Sequence, residues 1–489
     1  MQHRDLKCIM IVFFLIVVSF LLWNSRTNKP TPERPFPRSR NKLFVYHKEP
    51  ESFVHRSKKP FEWFEKVQVA DEQQFDLKPG TCRVAEWNKV HTDRIPNQEL
   101  HDEWMSRGIN NRSYLYHETP SPLATFVYEE HIAVTLTAEN KYGKTVYCRY
   151  YDCNRKELPQ PFETKVFPES TVYCGRRSGA EFISVTGKVD EIAETPVPIQ
   201  RRDDIIPRHY FTVCLATLYG EEPKFIQIVD FIEYHKLQGA TFFHVYLRNV
   251  SAYDRMLLDD YVRTGEVEVI VMNDHYWRAD FMWHNMQIND CHMRSKNFAK
   301  WTAFIDIDER IDVKGKKNRV IDFLETVKDP NINSLQFSVQ WVLKEEQSPE
   351  RYVNDSQLVE NLIFRKHHNT SQIANSQTQP KCIIRPDRVG AMTIHGPMVV
   401  YKGYIQTLVN TTAGVIRHYR NVSGGALYKN NERAFTMGPF HLTSIEPELE
   451  KKLTENILAR IKDVYDTVQY SCADMNKVYN VHGGLKMDC

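Results

Sequence analysis

The chain has 489 residues, of which 42% are hydrophobic and 12% aromatic, and this is enough apolar material for two or three packed domains. Its 64 Lys and Arg residues nearly balance its 62 Asp and Glu residues, which leaves a formal net charge of +2. That balance argues against a nucleic-acid-binding protein, because such proteins carry a strongly basic surface.

An uninterrupted hydrophobic run occupies residues 8–23, close to the N-terminus. The run is short for a transmembrane helix but longer than most signal-peptide cores, and no small-residue cleavage site follows it. We therefore expect a cytoplasmic tail at 1–7, an uncleaved signal anchor at 8–23 and a proline-rich stem or linker at 24–78. A cleaved signal peptide is the alternative. More Lys and Arg follow the run than precede it, which opposes a lumenal C-terminus, but long C-terminal domains translocate regardless of charge.

Sequons for N-glycosylation favour the lumenal side of a membrane. Their asparagines are Asn111, Asn249, Asn354, Asn369, Asn410 and Asn421. The chain also has 10 cysteines without a C-x-x-C zinc pattern, so we expect disulfides formed in an oxidising compartment. One cysteine lies in the hydrophobic run, and the odd number that remains leaves one free or paired between chains.

Residues 79–204 carry short alternating segments that predict a small β-rich module. The clearest predicted strands lie at 124–128, 131–137, 144–151 and 181–185. We expect Cys148, Cys153 and Cys174 to contribute a disulfide to this module. The stretch shows no chemistry of its own, so an accessory domain, an acceptor platform and a plain scaffold all remain open.

Strands alternate with helices from residue 205 to residue 440. Predicted strands at 210–217, 241–247 and 266–272 are separated by a helix that opens at Pro223 and stops at Gly239, and by a second helix at 252–264 that Gly265 closes. A third predicted helix covers 281–300, and a later strand covers 334–342. This alternation predicts a mostly parallel α/β sheet with right-handed crossovers. In the C-terminal segment, 441–489, we expect a helix that Ser444 caps.

The stretch WTAFIDIDERID at 301–312 joins an apolar strand to Asp306, Asp308 and Glu309. Carboxylates at the end of a buried strand repel one another and resist desolvation, so they need a cation between them. Hard oxygen ligands favour Mg²⁺, Mn²⁺ or Ca²⁺. Because side chains alternate along an extended strand, we expect the two aspartates to face one side and to bind a cation that holds a nucleotide diphosphate.

Three alternatives compete with this interpretation. An EF-hand loop that began at Asp306 would need Gly at 311 and Glu at 317, where the chain has Ile311 and Lys317. A phosphoaspartyl hydrolase also begins with Asp-x-Asp but usually continues with a hydroxyl residue, and here Glu309 follows. A solvated acidic turn without chemistry is the third alternative.

Several motifs in this order resemble glycosyltransferase family 92, over roughly 205–440. They are LYGEE at 218–222, FIEYHKLQG at 231–239, NDC at 289–291, KWTAFIDIDE at 300–309 and IRHYR at 416–420. The chain looks most like nematode members that add galactose from UDP-galactose to the core fucose of N-glycans. The resemblance implies a GT-A-type nucleotide-sugar fold, an inverting β-1,4 transfer that needs Mn²⁺ or Mg²⁺, and a single-pass type II Golgi membrane protein with a lumenal catalytic domain.

The same resemblance assigns roles in donor and metal binding. Asp306 and Asp308 match the metal motif, Asp306 also faces the donor, and Glu309 orients the motif. Glu221 follows the first strand, where related folds meet the uracil or the ribose. Asp290 and Arg294 would line the donor pocket, although an ion pair four residues apart on one helix is an equally good interpretation.

A downstream histidine often completes the metal shell in this fold, and we prefer His418 to His395. Inversion also requires a general base, for which Glu345, Glu346 and Asp355 are candidates that the spacing does not separate. The expected partners are UDP-galactose, a fucosylated N-glycan and the membrane, and the sequence leaves a homodimer open. A catalytically silent glycan-binding Golgi protein and a metal-dependent phosphohydrolase are the alternative functions.

Overall fold

The computed structural model describes residues 121–467, apart from 138–142, 168–169, 194–195, 204–205, 273–279, 316–318, 345–347, 377 and 422–438. All described residues belong to one compact unit, 59–489. Within them, no helix is both long and apolar enough to cross a membrane. The predicted anchor, the stem and Asn111 lie outside the described residues.

Seven strands form the first sheet. They are β1 (Pro122–Val127), β2 (Ile132–Leu136), β3 (Thr145–Tyr151), β4 (Phe162–Lys165), β5 (Thr171–Cys174), β6 (Phe182–Thr186) and β7 (Val197–Arg201). Their order across the sheet is β4-β3-β6-β7-β1-β2-β5. A disulfide joins Cys148 in β3 to Cys174 in β5, and Cys153 is also disulfide-bonded. The four predicted strands correspond to β1, β2, β3 and β6.

A second seven-stranded sheet forms the centre of the following part. Its strands are β8 (His209–Leu218), β9 (Phe242–Leu247), β10 (Val267–Val271), β11 (Ala299–Ile305), β13 (Ile332–Phe337), β16 (Lys381–Ile384) and β19 (Ile405–Leu408). They lie in the order β10-β9-β8-β11-β16-β13-β19. The four strands from β10 to β11 are parallel, whereas β16 is antiparallel to both of its neighbours. Because β13 is in turn parallel to β19, all strands of this sheet except β16 run in one direction, and the sheet is mostly parallel as predicted.

Seven α-helices occur in the described residues, on the faces of this sheet and beyond it. They are α1 (Phe225–Leu237), α2 (Ala252–Arg263), α3 (Trp283–Ser295), α4 (Val320–Thr326), α5 (Asp355–Glu360), α6 (Ile363–Lys366) and α7 (Pro447–Lys462). Gly239 ends α1 with a φ of +98°, and a Cβ there would come within 2.5 Å of the Ile321 side chain. Only glycine meets both conditions. Gly239 is therefore required by its contact with Ile321 as well as by its role in ending the helix.

A five-stranded sheet packs beyond the central one. Its strands are β12 (Glu309–Val313), β14 (Val339–Lys344), β15 (Asn369–Ile373), β20 (Gly414–Asn421) and β21 (His441–Leu442), in the order β12-β20-β14-β15-β21. In a separate ribbon, β17 (Val389–Thr393) pairs with β18 (Gly396–Val400). The prediction of one strand at 334–342 is wrong, because the chain changes sheets at Ser338. An unbroken apolar run does not show where a chain leaves one sheet for another.

Two predicted helix boundaries are also wrong. The third helix ends at Ser295 rather than at 300, because Lys296 is extended and Asn297 has a φ of +58°. At the C-terminal helix the cap is Glu446, whose carboxylate accepts from the backbone N–H groups of Glu448 and Leu449, and not Ser444.

Helix α3 packs between the central sheet and the first sheet. Tyr128 donates its hydroxyl to the Met293 carbonyl at 2.5 Å, and Thr135 donates to Asp290 at 2.5 Å. A disulfide between Cys214 in β8 and Cys291 ties the helix to the central sheet. The β-rich module therefore shares a buried polar junction with the part of the chain that follows it.

Candidate active site

The motif Asp306-Ile307-Asp308 forms a turn between β11 and β12. The Glu309 amide donates to the Asp306 carbonyl at 3.0 Å and closes this turn. The expectation that the two aspartates alternate along an extended strand is wrong, because the chain reverses here from the central sheet into the five-stranded sheet. The turn nevertheless lies at the carboxyl end of β11, on the edge where α/β sheets bind ligands.

Asp306 and Glu309 share a buried lysine. Lys381, the first residue of β16, places its ammonium 2.9 Å from Asp306 Oδ2 and 3.4 Å from Glu309 Oε2. Glu309 Oε2 also accepts the backbone N–H of Asp306 at 2.9 Å. The Lys381 side chain is 4% exposed, whereas that of Asp306 is 28% exposed. The protein thus holds Asp306 through one oxygen, while its side chain stays partly exposed.

Asp308 is paired with His418, the histidine that the sequence favoured as a metal ligand. His418 Nε2 lies 3.3 Å from Asp308 Oδ2, and His418 Nδ1 lies 3.4 Å from Glu309 Oε1. The pairing follows from strand register, because Glu309 in β12 stands opposite His418 in β20. The Tyr419 amide donates to the Asp308 carbonyl at 2.8 Å, and Arg420 lies 3.9 Å from its carboxylate.

The charges of this cluster shift one another's pKa values. Burial opposes ionisation of Asp306 and Asp308, but Lys381 beside the first and His418 beside the second hold both pKa values below their usual range. For Glu309 burial outweighs the attraction of Lys381 and raises the pKa to about 7. Burial also opposes protonation of His418, yet the pKa of this imidazole is raised because Asp308 and Glu309 are so close. The aspartates are therefore anionic at neutral pH, whereas Glu309 titrates near it.

Three buried polar atoms of this cluster make no hydrogen bond: Asp306 Oδ1, Glu309 Oε1 and His418 Nδ1. Across the described part of the chain, no group of three or more His, Cys, Asp or Glu side chains is already arranged to hold a metal ion. The carboxylate oxygens of Asp306 and Asp308 still suit a hard divalent cation, and the His418 imidazole would add a nitrogen ligand once it loses its proton. Binding of Mn²⁺ or Mg²⁺ stays a prediction.

Asp290 and Arg294 lie in the junction between α3 and the β-rich module. Arg294 lies 3.0 Å from Asp290 and 2.6 Å from Glu268, and Tyr246 donates to Asp290 at 2.6 Å. Both side chains are almost fully buried. The two residues therefore form the ion pair that their four-residue spacing suggested, and the partners of both side chains lie within the junction.

His395 lies close to the carboxylate cluster, on the turn between β17 and β18, where burial and the nearby Lys381 ammonium lower the pKa of its imidazole. Its carbonyl accepts from Gln336. The other predicted residues are dispersed. Glu221 is exposed in the loop after β8. Asp355 accepts from the Tyr352 hydroxyl at 2.8 Å and pairs with Lys462 at 2.6 Å. Glu345 and Glu346 lie outside the described residues.

Four sequon asparagines have exposed side chains: Asn249, Asn354, Asn369 and Asn410. The side chain of Asn421 lies outside the described part. Asn354 also caps α5, because its side chain accepts the Gln357 amide.

Two residues of the site escaped the sequence analysis, Lys381 and His284. His284 near the start of α3 lies 3.7 Å from Asp306, and both residues line a small cavity beside that carboxylate. The only local signal for Lys381 is a lone cation at the start of the apolar segment Lys-Cys-Ile-Ile. Nothing in the sequence near His284 links it to Asp306.

Comparison with known proteins places the site inside one family domain. The family model described as Glycosyltransferase family 92 matches residues 209–453, half of the chain. That range contains the Asp306 turn, Lys381 and His418.

Two known proteins are similar in sequence to parts of this chain. One is "Beta-1,4-galactosyltransferase galt-1" of Caenorhabditis elegans, 23% identical over 268 residues, which are 51% of this chain and 59% of the relative. The other is "Galactan beta-1,4-galactosyltransferase GALS2" of Arabidopsis thaliana, 25% identical over 177 residues, which are 31% of this chain and 33% of the relative. The chain therefore spans less than two thirds of the length of either relative.

Among solved structures, residues 1–349 of S. aureus TarS in complex with UDP-GlcNAc align with a TM-score of 0.26 and 13% identity, over 55% of this chain and 70% of that one. A TM-score this low supports no argument about the fold or the site.

Proposed function

We propose the following activity for this chain, which belongs to glycosyltransferase family 92: it transfers galactose from UDP-galactose, in β-1,4 linkage and with inversion, to the core fucose of N-glycans. Both relatives bear the name of a β-1,4-galactosyltransferase, which supports the sugar and the linkage. The fucose acceptor, the UDP donor and inversion rest on the family resemblance.

One observation supports this activity more than any other, the arrangement of Asp306, Asp308 and His418 within the matched domain. Two anionic carboxylates and an imidazole from distant parts of the chain meet at the carboxyl end of a parallel strand. Buried atoms without a hydrogen bond in a partly exposed cluster are what a ligand with its own charges would satisfy.

The residues around the two aspartates have different roles in donor binding. Lys381 holds one oxygen of Asp306 and leaves Oδ1 without a hydrogen bond, and His418 holds Asp308 from the next sheet. A bound Mn²⁺ or Mg²⁺ would neutralise the diphosphate of the departing nucleotide. Glu309 accepts the Asp306 amide and thereby keeps the turn in shape.

Inversion requires a base that takes the proton of the acceptor hydroxyl. Asp355 is engaged by Tyr352 and Lys462, outside the carboxylate cluster. Glu345 and Glu346 follow Lys344 in the sequence, and Lys344 is the last residue of β14, which runs parallel to the strand that carries His418. We therefore keep these two as the base candidates.

We also propose that the protein is a single-pass type II membrane protein of the Golgi with its catalytic domain in the lumen. Exposed sequon asparagines and the disulfides Cys148–Cys174 and Cys214–Cys291 suit an oxidising compartment.

The test is a transfer assay with the full-length chain in detergent, a panel of UDP-sugars, core-fucosylated N-glycans and Mn²⁺, read by product mass. We expect a gain of one hexose from UDP-galactose that chelation and Asp308→Asn both abolish. Asp387→Asn is the matched control, because it makes the same chemical change at a half-exposed aspartate outside the cluster.

Other results would point to the other functions. Intact glycan binding without transfer from any donor would favour the catalytically silent binding protein. Metal-dependent release of phosphate from esters without an acceptor would favour the phosphohydrolase.

A further inference from the structure

A buried arginine supports the carboxylate turn from behind. Arg310 Nη1 donates to the backbone carbonyls of Ile307 and Glu309, both at 2.8 Å. Its Nε donates to Asp230 Oδ1 at 2.8 Å, and its Nη2 donates to the same oxygen. The guanidinium therefore connects the turn at 306–309 to helix α1.

The burial of this pair is not explained by stability alone. The side chains of Arg310 and Asp230 are each 3% exposed, and the guanidinium lies over the rings of Phe231 and Tyr234, 5.2 and 6.0 Å from their centroids. Removing two charges from water costs free energy that their attraction often does not recover, so apolar replacements of such pairs are often neutral or stabilising. A role in placing neighbouring groups gives a reason for this pair.

The groups that the pair places belong to the site. The two carbonyls that Arg310 binds flank Asp308, whose own carbonyl accepts from Tyr419. The position of Asp308 is thus set by contacts on both sides of the turn. Asp230 lies on α1, the helix between β8 and β9 of the central sheet. The pair therefore also holds the turn against this helix.

We infer that Asp230 and Arg310 are positioning residues that set the distance and angle between Asp308 and His418. Building on the proposed function, they thereby set how tightly the site binds a nucleoside diphosphate together with its divalent cation. Neither residue touches the ligand. Arg310 acts through the backbone of the turn, and Asp230 acts through Arg310.

The chain contains a matched control in Arg385. This arginine is also buried, donates to the carbonyls of Asp329 and Ile332 at 3.0 Å each, and lies over Trp301, 4.4 Å from the ring centroid. It follows β16, whereas Lys381 of the site begins that strand. Arg385 therefore resembles Arg310 in its chemistry but lies at the end of β16 that is remote from the site.

The experiment compares full-length wild type with Arg310→Lys and Arg385→Lys, which keep the charge but lose the fork of donors. The first readout is calorimetric binding of UDP in the presence of Mn²⁺. We expect Arg310→Lys to weaken it by about tenfold or more, as for residues that orient metal ligands, while Arg385→Lys stays within about twofold of wild type.

The second readout needs no ligand. It is the ¹⁵N NMR signal of the His418 ring, assigned by its loss in His418→Gln, and we expect it to shift in Arg310→Lys but not in Arg385→Lys. Thermal unfolding shows whether the two variants are equally folded. Asp230→Asn replaces Arg310→Lys if the latter does not fold, with the same expectation.

Equal effects of the two lysine variants on both readouts would overturn the positioning role and leave Arg310 as a structural arginine. Absence of UDP binding in wild type would contradict the proposed function, while the His418 signal would still decide whether Arg310 positions the turn.

Discussion

Two buried clusters of charged residues in this protein are similar in composition. They differ in whether their carboxylate oxygens all have hydrogen-bond partners. The open cluster consists of Asp306, Asp308, Glu309, Lys381 and His418. The closed cluster consists of His244, Tyr246, Glu268, Asp290 and Arg294. In the closed cluster all four carboxylate oxygens have partners, and the aspartate is fully buried. In the open cluster Asp306 Oδ1 and Glu309 Oε1 make no hydrogen bond, and both aspartates are about one quarter exposed.

The difference shows that burial of charge does not by itself mark a functional site. Both clusters contain an acidic residue that the sequence placed near the donor, Asp306 in one and Asp290 in the other. The two buried glutamates also have opposite pKa shifts. Burial raises the pKa of Glu309 to about 7, whereas at Glu268 the Arg294 guanidinium and the hydrogen bond with His244 overcome burial and hold the pKa well below its usual range. Buried carboxylate oxygens without a hydrogen bond, in a cluster whose aspartates are partly exposed, distinguish the site from the closed cluster.

The largest effect should come from the open cluster. Asp308→Asn removes one of the charges that would hold the cation, which supplies several kcal/mol of transition-state stabilisation. We expect transfer to fall by about a thousandfold, equivalent to about 4 kcal/mol, with an unchanged melting temperature. If Asp308→Asn lost both folding and activity, Asp308 would be needed for stability in the same way as Asp290. The two clusters would then not differ in function.

Asp290→Ala should lower stability and leave donor binding unchanged. It leaves Arg294 with Glu268 as its remaining carboxylate partner and removes the acceptor of the Tyr246 hydroxyl. We therefore expect a loss of about 3 kcal/mol in the free energy of unfolding. At a temperature where the variant remains folded, its Michaelis constant for the donor should match that of wild type. A large rise in that constant would instead support the donor-binding role predicted from the sequence. Urea unfolding and donor titration measure the two quantities.

The closed cluster should also lose stability in acid. Because the folded-state pKa of Glu268 is depressed, its stabilisation is fully present above its ordinary value of 4.5 and is lost as the pH falls from there through the folded pKa. We expect Glu268→Gln to cost about 2 kcal/mol at pH 7 and to approach wild type in urea unfolding at lower pH. The same substitution at the exposed Glu350 serves as the control, and a cost that does not change with pH would show that the ion pair does not supply the stability.

The smallest effect is expected at Asp355. Its carboxylate contacts Tyr352 and Lys462 at the surface, so Asp355→Asn should change the turnover number by less than about twofold. Glu345→Gln and Glu346→Gln, assayed beside it, then test the two remaining base candidates. A turnover number that collapses only in Asp355→Asn would identify Asp355, and neither glutamate, as the base.

The sequence by itself determined the local elements and the identity of the acidic motif. Alternation of apolar residues at periods of 2 and 3.6 predicted β8, β9, β10 and the two helices between them, because this period reflects which side of each element is buried. Glycines at 239 and 265 marked the helix ends, since both adopt a positive φ. The end of an apolar strand in three carboxylates marked the position of the acidic motif, although the sequence predicted an extended segment there and not the turn at 306–309.

Only the tertiary structure decided which distant groups meet these elements. Lys381 and His418 reach the carboxylates because β16 pairs with β11 and β20 pairs with β12, and such pairings depend on chain topology rather than on local pattern. The same holds for the split of the strand predicted at 334–342, and for Asp290 and Arg294, which turn toward the β-rich module. Periodicity records how far a side chain is buried, but it does not record which partner buries it.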